Sequence, residues 1–118
     1  MESASEEGRD MIYIAGPYMH KNSHVRNYRY HMHRNYLIQL MEQGRAAYSP
    51  IAVGHTLLPD LASWTHDRWM LWDLPILRLC KEVHLLKLPG WDKSRGTTEE
   101  LELARDLGME ITEVEWEL

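Results

Sequence analysis

Within the run LPGWDKSRGTTEE (Leu88–Glu100), two carboxylates, a hydroxyl and a glycine follow closely as Asp92, Ser94, Gly96 and Glu100. A serine hydroxyl, a flexible glycine and the free backbone N–H groups of a helix start are the ingredients of a phosphate-binding turn. A carboxylate one helical turn further on can act as a nucleophile or a base. The run has neither the G-x-x-x-x-G-K-[ST] spacing of a P-loop nor the G-x-G-x-x-G of a dinucleotide-binding turn. Asp92 and Ser94 are also ordinary turn formers, so the pattern suggests an anion site without naming its ligand.

Glu100 raises a sharper question. At about 100° per residue, Leu101, Leu103, Ala104 and Leu107 share one side of a helix predicted from Thr97 to Gly108, and Glu100 falls in the middle of that arc. An ionised carboxylate on an apolar face is costly unless something holds it. Two arrangements would do so. In a capping box with Thr97 as N-cap, Glu100 is the N3 residue and bonds back to the Thr97 N–H. Alternatively, Glu100 points into a site as nucleophile or base, kept ionised by the helix N-terminus.

The histidines and tryptophans offer further chemistry. His20, His24, His31 and His33 suggest a metal cluster by number alone. His31 and His33 diverge on a helix, only His20 and His24 have i, i+4 spacing, and no nearby cysteine or carboxylate completes a ligand set. No metal and no other cofactor is expected. His55, in the loop after the second strand, is placed either to contact substrate or to stabilise its turn. Trp64 and Trp91, at loop edges, are placed to stack on a base, whereas Trp69 and Trp72 suit a core or an interface.

These groups need a scaffold to bring them together. MIYIAG (Met11–Gly16) reads as a buried strand closed by Gly16 and Pro17. A helix follows from about Ser23 to Gln43, its apolar spacing carried by Val25, Tyr28, Met32, Tyr36, Leu37, Leu40 and Met41. RAAYSP (Arg45–Pro50) is a second strand, and Ser63–Cys80 a second helix that Pro75 is expected to kink or divide. Glu82–Leu88, the helix at Thr97 and an edge strand over Met109–Glu115 complete the chain. This alternation predicts an α/β three-layer fold of the Rossmann or flavodoxin kind, a parallel sheet of about four or five strands with helices on both faces. Ligands of such sheets bind outside the carboxyl ends of the strands, which singles out the loops Ala15–Asn22, Ser49–Asp60 and Pro89–Thr97. Gly16 and Pro17 of the first loop join His55, Trp91, Asp92, Ser94 and Gly96 as candidate substrate contacts.

Composition narrows the class of function. At 118 residues the chain suits one domain, expected over residues 11–118 behind a flexible acidic leader at Met1–Asp10. The formal charge is -5, yet Met11–Met41 has no acidic residue and carries Lys21, Arg26, Arg29 and Arg34. Such a balance argues against general nucleic-acid binding and leaves a local patch that attracts a small anion. A lone cysteine, Cys80, excludes an intrachain disulfide and fits a reducing compartment. With no long apolar run and no signal-peptide pattern, a soluble cytoplasmic protein without membrane contact is expected.

IYIAGPY at the first strand, SPI followed by GH, a tryptophan-rich helix carrying WDLPIL, and LLKLPGWDKSRGTTEELELARDLG together resemble a bacterial and phage family of unknown function (DUF1937/DUF4406-like) related to nucleoside 2-deoxyribosyltransferases. The resemblance covers Met11–Glu115. It implies that Ser94, Gly96 and Glu100 match a Ser-x-Gly-x-x-x-Glu run whose glutamate attacks the anomeric carbon of a nucleoside or nucleotide. It further implies that Asp73 is the aspartate of an Asp-Leu-x-x-Leu stretch and that Tyr13 supports the nucleophile. Without it, Asp73 reads as a solvated helix carboxylate and Tyr13 as a packing residue. Two departures stand out: Glu102 replaces a glycine of the family's Glu-x-Gly-x-Ala, and Pro75 interrupts the aspartate helix.

The expected function is therefore N-glycosidic bond cleavage or transfer on a nucleoside, nucleoside monophosphate or similar small molecule, with Glu100, Asp73 and Tyr13 catalytic. A homo-oligomer, dimer or tetramer, follows from relatives whose subunits complete one another's sites. The rival expectation is a non-catalytic nucleotide-binding or sensing protein on the same fold.

Overall fold

β1 (Ile12–Ala15) is buried at every position, as a strand covered on both faces must be. It sits inside a sheet with β2 (Ala47–Tyr48), β3 (Glu82–Lys87) and β4 (Glu110–Glu115), in the order β2-β1-β3-β4, every pair parallel. The computed structural model describes residues 10–115, so the expected leader lies outside the described residues except for Asp10, which pairs with Lys81 at 3.2 Å.

Alternation along β1 and β3 divides the core in two. Ile12, Ile14 and Leu86 face α1 (Ser23–Glu42) and pack with Leu40, while Tyr13, Ala15, Val83 and Leu85 pack on the other face with Leu77, Leu101 and Ala104. α2 (Pro50–Thr56) lies against α1. α3 (His66–Arg78) and α4 (Arg95–Asp106) supply Leu77, Leu101 and Ala104, and so cover the second face. The result is the expected α/β three-layer fold, with four strands. The step from β1 to β2 runs one way along the sheet over one face; the steps to β3 and β4 run the other way over the opposite face. Crossovers of a single hand require this arrangement.

Three local readings change. SPIAVGHT is a helix rather than a loop: Ser49 Oγ caps it by accepting from the Ala52 N–H at 3.1 Å, and Pro50 occupies the first helical position. α3 is not divided by Pro75. The proline lies on the exposed side, and Leu71, whose carbonyl it leaves without a helical donor, is 78% exposed, so water can serve that carbonyl. In α1 the expected apolar stripe is only half used. Met41 and Tyr28 are exposed, while Arg29 and His33 are buried with Leu40. The first half of α1 lies over the ends of β1 and β3, where its partners are loop carbonyls, and polar side chains suit those better than apolar ones.

His33 is fully buried, its Nε2 3.3 Å from the Pro17 carbonyl, and burial lowers its pKa to about 4, so it packs as a neutral ring. Gly16 touches that ring. A Cβ on Gly16 would stand 2.7 Å from His33 Cε1 and 3.2 Å from the Leu86 carbonyl oxygen. Gly16→Ala is therefore expected to destabilise the protein by roughly 1–3 kcal/mol through overpacking. Urea unfolding of Gly16→Ala, His33→Ala and the double variant checks this, the double costing less than the sum of the singles.

Candidate active site

The strand order reverses between β1 and β3, and a cavity of about 510 Å³ opens at the carboxyl ends of these strands. This is the crevice where sheets of this order bind ligands, and the volume suits a small molecule. Asp73 of α3 and Glu100 of α4 line it together with Gly16, His55, Ser94 and Gly96.

The start of α4 decides where Glu100 points. Ser94, not Thr97, is the N-cap; its Oγ accepts from the Thr97 N–H at 3.3 Å and from the Thr97 hydroxyl at 2.9 Å. With the helix beginning at Arg95, Glu100 is its sixth residue, beyond reach of the N-terminal N–H groups. The capping box does not form. Glu100 is instead 5% exposed and accepts a hydrogen bond from the Tyr13 hydroxyl.

Burial sets the electrostatics of this end of the cavity. Loss of water pushes the Glu100 carboxyl up to about 8; the Tyr13 hydrogen bond opposes that rise, and the charges of Asp73 and Glu99 add to it. The expectation that the helix N-terminus keeps Glu100 ionised is corrected: desolvation outweighs every group favouring the anion. Asp73 is 7% exposed, not a solvated helix carboxylate, and burial raises it to about 7. Between pH 7 and 8 the two carboxyls hold about one proton between them. Burial, then the charges of Glu100 and Asp73, lift the Tyr13 phenol well above its ordinary value, so it remains a donor.

The remaining expected residues divide. His55 lines the cavity from α2, its Nδ1 2.7 Å from the Tyr18 hydroxyl and its ring stacked on Tyr30 at 4.0 Å. Its pKa is lowered by burial first and then by the nearby His31 and Arg26. Gly96 borders the cavity, although a Cβ there would come no closer than 3.7 Å to His66 and Met70. Pro17, Trp91 and Asp92 do not line the cavity. Pro17 is buried at the start of the first loop, Trp91 packs against the core with Lys87 5.5 Å above its ring, and Asp92 is exposed.

Other lining residues were not marked by the sequence pattern. His66, Trp69 and Met70 stand seven, four and three positions before Asp73, which places all four on one face of α3. Trp69, expected in a core or interface, pairs instead with Trp64 at 4.7 Å, and both wall the cavity. The i, i+3, i+4, i+7 relation to Asp73 is the signal that would have found them. Arg26, Lys93 and Arg95 bring positive charge to the lining. Among the described residues no three His, Cys, Asp or Glu side chains gather to hold a metal ion, and no helix is long and apolar enough to cross a membrane.

Glu100→Gln should separate the cost of burying the carboxylate from its other effects. The folded pKa lies above the unfolded one, so the stability contributed by this group is fully present below about pH 4.5 and is lost as pH rises toward about 8. The variant avoids that loss and keeps an acceptor for Tyr13. Its melting temperature should exceed the wild type's by roughly 4–8 °C at pH 8 and converge on it near pH 4, as followed by circular dichroism.

No curated protein matches the chain. A family model described as a domain of unknown function (DUF1937) matches residues 10–116, nearly the entire sequence. The chain therefore belongs to the DUF1937 family.

Proposed function

We propose that this protein cleaves or transfers the N-glycosidic bond of a nucleoside, nucleoside monophosphate or similar small molecule, with Glu100 as the nucleophile. One observation carries the reading: a buried carboxylate held by a tyrosine hydroxyl, with a second buried carboxyl acting on it, at the wall of a cavity of about 510 Å³. Ionised Glu100 attacks the anomeric carbon and the N-glycosidic bond breaks. Its electron pair leaves with the base, which protonated Asp73 neutralises. Tyr13 fixes the attacking oxygen. Trp64 and Trp69 offer the base an aromatic wall, and Arg26 and Lys93, with the first turn of α4, favour an anionic group on the sugar. Every group in this scheme is a side chain or backbone amide, and no cofactor is assigned.

We further infer self-association into a dimer or tetramer, supported by exposed Leu71, Trp72 and Leu79 of the α3 segment. A reducing, cytoplasmic setting is supported by the buried free thiol of Cys80. The rival reading is a nucleotide sensor without turnover, favoured by the resting protonation of Glu100 at neutral pH.

Incubation with ribo- and deoxyribonucleosides and their 5′-monophosphates, with free base measured by chromatography, decides between the two. Catalysis predicts base release by the wild type, loss of roughly 10³-fold or more in Glu100→Gln, and a sugar adduct on Glu100 by mass spectrometry. Release undiminished in Glu100→Gln would sink the assignment, and binding without release would favour the sensor.

The pH profile follows from the same two carboxyls. The productive form has Glu100 ionised and Asp73 protonated, a minor arrangement of the singly protonated pair, so the rate falls below about pH 7, where both carboxyls take up a proton, and above about pH 8, where both are ionised. A bell centred between pH 7 and 8 is expected. Asp73→Asn should remove its alkaline limb.

A further inference from the structure

We propose that His66 is a further catalytic residue of this cavity, the base that deprotonates the acceptor as the sugar leaves Glu100. The inference rests on the glycosyl-transfer reading above and concerns its second half, the resolution of the Glu100 ester by water or another nucleobase.

The placement of His66 carries it. His66, Met70 and Asp73 line the cavity from one face of α3, opposite Gly96 and Glu100 of α4. His66 Cε1 lies 3.7 Å from where a Gly96 Cβ would be, so the imidazole sits against the turn immediately N-terminal to Glu100. A helical side chain leans toward the N-terminus of its helix, and Glu100 therefore leans over that same turn. Gly96 puts no side chain between the two, leaving space for a small acceptor.

The ring is also held in place by a partner. His66 Nε2 is 3.1 Å from Glu99 Oε2, and Arg95 Nε holds the other oxygen of Glu99 at 3.2 Å. A carboxylate only accepts, so Nε2 donates to it, and in the neutral imidazole the lone pair is therefore on Nδ1. This is a base held by a third group, the arrangement that activates a weak nucleophile. The side chain of His66 is 27% exposed, whereas Asp73 is 7% exposed as a residue, so His66 can pass a proton to solvent more readily. The labour divides accordingly: Asp73 serves the leaving base and His66 the incoming acceptor.

In the step itself the acceptor oxygen of water bonds to the anomeric carbon and the ester C–O bond breaks. The electron pair of that bond returns to the Glu100 carboxylate, and the proton of water passes to His66 Nδ1 and then to solvent. With a nucleobase as acceptor, its ring nitrogen forms the bond and its N–H proton follows the same route.

Pre-steady-state base release from the 2′-deoxy- and ribonucleoside 5′-monophosphates, with and without sodium azide, tests the assignment in the full chain. Azide attacks without needing a base. His66→Asn is expected to retain a burst of about one base per chain while steady turnover falls roughly 10²-fold. Azide should restore turnover and yield the glycosyl azide, whereas Glu100→Gln should show neither burst nor rescue. Glu99→Gln, which leaves the imidazole in place, should show a smaller loss with the same rescue, and it carries the test if His66→Asn does not fold. Turnover of the folded variant within about threefold of wild type, loss of the burst, or a decline that azide leaves unchanged would overturn the role of His66 alone. Absence of base release from the wild type would overturn the glycosyl-transfer reading and this inference with it.

Discussion

The hydrogen bond from Tyr13 to Glu100 joins two side chains whose polar ends the core would not accept unpaired. Tyr13 stands on an interior strand at 0% exposure, and a buried phenol requires a partner. Glu100 arrives from 87 residues away with the complementary need. For the two to meet, α4 must begin where Ser94 caps it, so that its sixth residue, rather than a leucine, turns toward β1. Leu101 and Ala104 then pack against the same sheet face as Tyr13. The apolar packing of α4 and the polar contact beneath it thus demand one helix rotation, and a shift of the helix start would break both.

On the other side of the strand ends, Arg29 performs a comparable task with backbone partners. It donates to the carbonyls of Met19 at 2.9 Å and Pro89 at 3.0 Å, joining the loops that follow β1 and β3. These loops flank the switch point, so the cavity opening depends on a cation spent on structure. The acid-free stretch of α1 accordingly has a divided meaning. Arg29 and His33 are buried supports, whereas Arg26 lines the cavity. A charge pattern in sequence shows where positive residues lie along a helix; only their partners reveal whether that charge is available to a ligand.

The fold was legible because its signals are local: an unbroken buried run at Ile12–Ala15, helices separated by glycine, and alternation of the two. α2 escaped because it is short and contains Gly54, although Ser49 and Pro50 form an ordinary capping start. At the site, the wheel placed Glu100 correctly on the apolar face but could not fix the helix origin, and a three-residue difference between Thr97 and Ser94 as cap separates a capped glutamate from a cavity carboxylate. Tyr13 and Asp73 came from resemblance, since nothing in their neighbourhoods along the chain distinguishes them from packing and surface residues. His66 and Trp69 were missed because their meaning lies in helical spacing from Asp73, a residue whose importance appears only when α3 and α4 face each other.

A carboxyl raised to about 8 is mostly protonated at neutral pH, yet the raised value and the proposed reactivity have one origin. Water removed from around Glu100 no longer stabilises its charge, and the same absence of screening strengthens its attraction to positive charge developing on a sugar ring. In the empty site the group can rest protonated and avoid the full cost of a buried anion. In the proposed reaction, a bound molecule that develops positive charge at its anomeric carbon favours the ionised form when it is needed, while a neighbouring carboxyl near 7 can hold the proton for the leaving base. An additional anion close to Glu100 would act in the opposite sense. The positive groups of the lining that carry no carboxylate partner among the described residues, Arg26 and Lys93, offset such an anion, so that negative charge on a ligand can be held without further suppressing ionisation of Glu100.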